Sequence, residues 1–242
     1  MILLFLLGLG AGSFLNVLAL RYKPGGWIFT RDILSGRSHC PICQKQLRWY
    51  ELIPILSFAI QLGQCRHCHQ RISRQYPIVE ILSGLTFVLA PIYADPAPIW
   101  IFVVLTLILI ALIDYRLSII PDQLNLFLAV LGLASVGLES IWGVTFGAGL
   151  FGLIILLTKR KGMGMGDLKL AAALGFLFGW PKIILIAGLA FVIGGLWAAA
   201  LLLAKKKSLK DAIPFGPFLA IAAVVVIFAG DKLINFYSQY LL

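Results

Sequence analysis

The sequence predicts an all-α polytopic membrane protein of about eight transmembrane helices, interrupted by one small polar insertion that carries every cysteine. Three observations predict it. The 242 residues are 61% hydrophobic and only 12% charged, against about 25% charged in an ordinary soluble domain. Apolar runs of about 18 residues recur along the chain, long enough to cross the hydrocarbon core as helices. These runs lack the strict apolar–polar alternation of a barrel strand, so helices are what can satisfy their backbone in lipid.

Taken in order, the candidate spans lie at about residues 1–20, 77–94, 97–114, 119–139, 140–158, 166–181, 182–204 and 213–231. The fourth and fifth are separated by little more than Glu139 and Ser140, and the sixth is short, so seven or eight spans fit. The chain therefore divides into a first helix (1–20), a polar loop (21–76) and a helix bundle (77–242). The opening MILLFLLGLGAGSFLNVLALR has the length of a signal peptide, but its positive charges follow the apolar run instead of preceding it. It reads as a retained helix with its N-terminus outside. Within it, Gly8, Gly12, Ser13 and Asn16 suit close packing against another helix.

A net charge of +10 suggests nucleic acid until its distribution is mapped. Nine of the 20 basic residues lie between Arg21 and Arg74. Arg116, Lys159, Arg160, Lys161, Lys205, Lys206, Lys207 and Lys210 fall in later loops, while the intervening loops offer only Asp95, Glu139 and Lys182. With eight spans, every Lys/Arg-rich loop shares one side. That side is cytoplasmic by the positive-inside rule, which leaves both termini outside. The basic balance is a topology signal and implies no nucleic-acid partner.

The four cysteines form two C-x-x-C pairs, Cys40 and Cys43 in HCPICQKQL, and Cys65 and Cys68 in QCRHCHQRI, with 21 residues between the pairs. Each pair sets two sulfurs on a tight knuckle, and two knuckles complete a tetrahedron, the pattern of a structural four-thiolate zinc site. A cytoplasmic loop disfavours disulfides. His39, His67 and His69 are then surface residues, and a fully coordinated zinc leaves no position for a reacting water. The insertion thus reads as zinc-ribbon-like, folded by its metal. Between the pairs, RWYELIPILSFAI is apolar but broken by Pro54; it packs under the ribbon or lies at the membrane interface, where Trp49 and Tyr50 are comfortable.

The ten acidic residues can be weighed singly. Asp32 and Glu51 belong to the polar loop; Asp95, Glu139 and Asp231 sit in or near outer loops, and Asp211 accompanies the Lys205–Lys210 cluster, all as solvated charge. Glu80, opening the second span, is expected to pair with Arg74 at the interface. Asp122, after Pro121, is placed to cap a helix. Two remain. Asp114 ends the apolar run IWIFVVLTLILIALID, and Asp167 ends GMGMGD. Span three runs inward and span six outward, so both lie at the cytoplasmic edge. Two carboxylates facing each other at low dielectric do not both ionise easily, so one keeps a proton. An acid and a base side by side are what aspartyl protease chemistry requires. Intramembrane ionisable groups are functional by default; neutralisation by Arg116 or Lys169, and a helix-capping role for Asp167, are the competing readings. Gly162, Gly164 and Gly166 would let an extended backbone approach a substrate strand. Phosphate binding is not indicated, because neither the Walker nor the Rossmann glycine pattern is present.

These blocks resemble one family in order along nearly the whole chain. GAGSFLNVLALR, CPICQKQLRWYELIPILSF, CRHCHQRISRQYPIVEILSG, ALIDYRLSIIPD, GMGMGDLKLAAALG and IPFGPFLA are similar to segments of the type IV prepilin peptidases. The stretch between Arg21 and His39 is shorter than that pattern and lacks its acidic, Trp-containing part. The resemblance implies a bacterial inner-membrane, GxGD-type aspartyl protease with Asp114 and Asp167 as catalytic residues and Asp122 as a companion of Asp114. It implies cleavage of the basic leader of prepilins or pseudopilins at the cytoplasmic face, usually between Gly and Phe. It also implies methylation of the new N-terminus with S-adenosylmethionine, for which no binding residues can be named. A membrane carrier using the same carboxylates as ion sites is the alternative. It predicts mid-membrane sites and repeated halves, whereas no internal repeat is visible and the aspartates fall at an edge. A zinc-ribbon scaffold on a membrane anchor would need neither eight spans nor two aspartates.

Overall fold

The computed structural model describes residues 1–136, 140–159, 162–208 and 211–240. Glu139, Arg160, Lys161 and Lys210, which enter the charge map, lie outside the described residues. The described chain is all helical and falls into two compact units, Met1–Leu105 and Thr106–Leu242, with the boundary inside a helix.

In the first unit, α1 (Ile2–Arg21) packs antiparallel on α4 (Gln75–Tyr93). Gly8 and Gly12, one turn apart, let the two backbones touch. A Cβ on Gly8 would stand 2.6 Å from the Ser83 carbonyl oxygen, and one on Gly12 2.7 Å from Glu80 Cα. Without a hydrophobic driving force between helices in lipid, such close small-residue contact is the main source of helix association. Asn16 completes the seam by donating to the carbonyls of Gly12 and Tyr76 at 3.2 and 3.4 Å. Where α1 ends, the Arg21 guanidinium gathers the carbonyls of Ile33, Ser35 and Gly36 at 2.8–3.1 Å. That clamp closes the short helix α2 (Arg31–Leu34) onto the end of α1. The rest of the polar loop holds one 3₁₀ turn, Trp49–Leu52, and the short helix α3 (Leu56–Ile60).

Helix α5 (Ala97–Leu117) crosses the unit boundary and ends in the second unit, where α6 (Asp122–Val136), α7 (Ile141–Leu157), α8 (Met165–Phe178), α9 (Lys182–Leu203) and α10 (Gly216–Tyr240) follow. Helix α8 is the centre of this unit. It packs antiparallel on α7, where the backbones of Gly143 and Gly175 meet, and parallel to α6, where Gly132 rests on Leu177. Phe151, Phe191, Phe215 and Phe218 join α7, α9 and the start of α10, with neighbouring ring centroids 5.1–6.1 Å apart.

Among the described residues five helices (α1, α4, α5, α9 and α10) are long and apolar enough to cross a membrane. The predicted fourth, fifth and sixth spans appear as shorter helices of 15, 17 and 14 residues. At 1.5 Å per residue the last is about 21 Å long, below the roughly 30 Å of a hydrocarbon core. Asp231, expected in or near an outer loop, stands beside the first residue of α9. Helix α10 continues to Tyr240, and Asp231 lies within it, 2.8 Å from Lys182.

Candidate active site

Asp114 lies on the last turn of α5 and is 4% exposed. The apolar run that precedes it is buried at Leu107, Ile110 and Ile113, so one helix face carries the carboxylate into the interior. Its Oδ2 accepts the backbone N–H of Gly216 at 2.9 Å. Gly216 opens α10, and the first N–H groups of a helix lack intrahelical acceptors and carry its positive partial charge. The sequence reading missed this partner. Its signal was IPFGPF: Pro217 just inside a helix start and a glycine where a side chain would not fit.

Asp167 sits on the first turn of α8 and is half-buried. Its Oδ2 accepts the N–H of Gly164 at 3.2 Å, closing the start of its own helix. The capping contact weighed as a competitor is therefore present. It occupies one carboxylate oxygen and does not isolate the group, because the charge of Asp114 acts on Asp167. The two aspartates, 53 residues apart in sequence, are thus electrostatic neighbours, each held by a backbone N–H at a helix start.

One competing charge reading falls away. Lys169 does not neutralise either aspartate; it pairs with Asp122 at 2.7 Å. Asp122 is the first residue of α6 and ties the start of that helix to α8. The glycines also differ from expectation. Gly164 is extended (φ −83°, ψ 156°), but Gly166 is already helical, and a Cβ there would stand 3.2 Å from Ile120. What the segment supplies is a close approach of the α8 start to the chain before α6.

Glu80 is corrected as well. It is buried on α4 instead of pairing with Arg74 at a surface. Its Oε2 accepts the Ile55 N–H at 2.8 Å. Ile55 has φ 60° and ψ −51°, a positive-φ conformation that costs a β-branched residue energy, and its N–H is the one bonded to Glu80. Among the described residues no ion pair joins Glu80 to Arg74.

The first unit brings Cys40, Cys43, Cys65 and Cys68 together, with all four sulfurs within 4.8 Å of one another. The two knuckles are copies. In each, the first cysteine's N–H is bonded five residues on (Cys40 to Lys45, Cys65 to Gln70), and its carbonyl accepts an N–H four residues on. In each, the residue after the second cysteine is left-handed: Gln44 at φ 57° and His69 at φ 55°. An antiparallel bridge closes each hairpin, His39 with Gln46 and Gln64 with Arg71. Tyr50 packs beneath, with the guanidinium of Arg66 5.3 Å from its ring centroid. Four sulfurs around zinc at about 2.3 Å stand about 3.8 Å apart, and Cys40 Sγ lies 3.9 Å from Cys68 Sγ. The N–H groups of Cys68 and His67 hold the Cys65 thiol down, to about 7. The Cys68 thiol goes the other way, to about 11: the Gln70 N–H lowers it, but burial and the bonds to its neighbour sulfurs outweigh that. Four sulfurs this close cannot all ionise unless a cation joins them, so the donor set and spacing fit a metal ion.

A span-rich all-helical chain with paired carboxylates at helix ends and a separate thiolate cluster belongs to the class of polytopic membrane proteins with a buried acid site. Comparison with known proteins narrows the class. Residues 6–94 match the bacterial peptidase A24 N-terminal domain, and residues 101–199 match the type IV leader peptidase family. A prepilin leader peptidase/N-methyltransferase of Xanthomonas campestris pv. campestris is 35% identical over 97% of this chain and 93% of its own length. Proteins of the same description from Bacillus subtilis strain 168 and Pseudomonas aeruginosa PAO1 are 33% and 32% identical, covering 98% and 97% of this chain and 97% and 92% of their own lengths. No solved structure matches. The chain belongs to the type IV leader peptidase family.

Proposed function

We propose that the protein cleaves the basic leader from type IV prepilins or pseudopilins, with Asp114 and Asp167 as the catalytic pair, and methylates the new N-terminus. The observation that carries the cleavage reading is the pair itself: two aspartates on different helices, close enough to interact, each fixed by a backbone N–H. In hydrolysis the ionised carboxylate takes a proton from water as its oxygen attacks the scissile carbonyl. The protonated partner gives its proton to the carbonyl oxygen, and collapse of the tetrahedral intermediate breaks the C–N bond as the amine is protonated. The backbone bonds from Gly216 and Gly164 orient the two side chains throughout, which limits reorganisation in the transition state.

The charge pattern supports eight spans in a bacterial inner membrane, with α6, α7 and α8 as short ones. It also supports placing the basic loops and both aspartates on the cytoplasmic side and both termini outside. Lipid surrounds the bundle, as its many exposed apolar side chains require. Cys40, Cys43, Cys65 and Cys68 would hold a structural zinc ion that supplies a cross-link between the two knuckles. S-adenosylmethionine is the methyl donor in this reading. Among the described residues no set of side chains identifies where it would bind, so particular residues are assigned to cleavage alone.

The test is incubation with a candidate prepilin, followed by product mass, which reads cleavage position and added methyl together. Asp114→Asn and Asp167→Asn should each abolish cleavage while the protein still inserts. Full cleavage by both single variants would refute the assignment.

A further inference from the structure

Asn125 lies on α6, three residues beyond Asp122, and is 6% exposed. Among the described residues neither its Nδ2 nor its Oδ1 has a hydrogen-bond partner. Most buried side-chain polar atoms are paired, and an unmatched amide in an apolar interior is costly enough to need an explanation. A leucine would fill the same space without that cost. The other unpaired buried side-chain atom among the described residues, Ser83 Oγ, lies in the α1–α4 seam, 2.9 Å from where a Gly12 Cβ would stand, so close packing accounts for it.

The position of Asn125 relative to the aspartates follows from the register of α6 on α8. Asp122 pairs with Lys169, and Gly132 rests on Leu177. The helices run parallel, and Asn125 belongs to the buried stripe Leu124, Asn125, Leu128, Gly132. Interpolation sets it level with the second turn of α8, about one turn, or roughly 6 Å, further along than Asp167. In the proposed topology that is deeper in the membrane than the dyad, on the side where the apolar helix of a substrate continues after the cut.

A peptide bond inside a helix is shielded by its own hydrogen bonds and cannot be cut until the segment unwinds. Unwinding in lipid leaves backbone N–H and C=O groups without water or intrahelical partners. A carboxamide presents one donor and one acceptor edge, the complement of one such backbone unit. We propose that Asn125 is a substrate-positioning residue, its amide pairing with an unwound backbone unit on the membrane side of the scissile bond. The assignment rests on the peptidase reading above. The cost of the unmatched amide in the free enzyme is recovered when the substrate arrives, a pattern expected of sites organised in advance for a ligand.

The experiment uses full-length wild type, Asn125→Leu and Asn125→Ser in detergent or liposomes, measuring prepilin cleavage and thermal unfolding on the same preparations. Asn125→Leu should be at least as heat-stable as wild type yet lose about tenfold or more in kcat/KM. Asn125→Ser, with one donor and one acceptor, should regain part of the loss. Cleavage by Asn125→Leu within about twofold of wild type would overturn the proposal. So would a fall in melting temperature accompanying its loss of activity, which marks a structural amide held by an internal water, or no recovery in Asn125→Ser. Wild type that does not cleave a prepilin would sink the peptidase reading itself, a result distinct from all of these.

Discussion

The N–H of Gly216 and the Oδ2 of Asp114 lie 2.9 Å apart, joining the first residue of α10 to the end of α5 across 102 positions of sequence. The contact leaves no room for a side chain. A Cβ on Gly216 would stand 2.7 Å from Oδ2 and 3.2 Å from Cγ of the same carboxylate. Gly216→Ala should therefore displace Asp114 while leaving the bundle folded. A misplacement of about 1 Å is worth on the order of a hundredfold in rate. Steady-state cleavage should fall by roughly that factor in kcat, with the melting temperature close to wild type.

Asp122 and Asp114 resemble each other in sequence, both acidic, flanking one short turn, but the structure separates their roles. The Asp122–Lys169 pair is 2.7 Å long, with side chains 68% and 46% exposed. Exposed pairs of this kind contribute about 0–1 kcal/mol. Asp122→Asn should change stability by less than about 1 kcal/mol and keep most cleavage activity. Asp114→Asn should lose at least about a hundredfold. Equal losses in the two variants would move Asp122 into the catalytic set.

What the sequence made legible was whatever repeats with a fixed period or spacing. The apolar runs located the helices, and the two C-x-x-C pairs brought four sulfurs together because each knuckle is a local structure of about seven residues. The aspartates could be singled out because a carboxylate at the end of an apolar run has few bland uses. The missed features all depend on which helix meets which. Nothing local to IPFGPF says that its glycine N–H meets Asp114, nor that Glu80 reaches Ile55 instead of Arg74. Nor could the sequence settle the competing reading in which Lys169 neutralises the dyad, for the same reason. On α8 it lies two residues beyond Asp167, a step of about 200° around the helix, and that turns it toward α6.

The cysteine cluster is separable from the acid site in experiment. Cys40 and Cys65, the first sulfurs of the two knuckles, are each 5% exposed. Cys40→Ser and Cys65→Ser should each abolish stoichiometric zinc, measured by elemental analysis of the purified protein. Both should lower the melting temperature, since the knuckles have little other core to hold them. Cleavage should be harmed less than stability or methylation, because the two aspartates belong to the other compact unit. Unchanged metal content in both variants would refute the four-thiolate site.

The α1–α4 seam makes opposite predictions for two glycines one half-turn apart. A Cβ at Gly12 would stand 2.7 Å from Glu80 Cα and 2.8 Å from the Val79 carbonyl oxygen, both backbone atoms that cannot swing aside. Gly12→Ala must push the helices apart, at a cost of about 1–3 kcal/mol typical of overpacking. It also strains the segment of α4 that carries Glu80, and so the Ile55 contact. A Cβ at Gly10 would meet nothing within 4 Å. Gly10→Ala should then stabilise α1 through helix propensity alone, by up to about 1 kcal/mol. Thermal unfolding in detergent should move down for the first variant and slightly up for the second. Shifts of the same sign would mean that α1 does not pack on α4 through this glycine face.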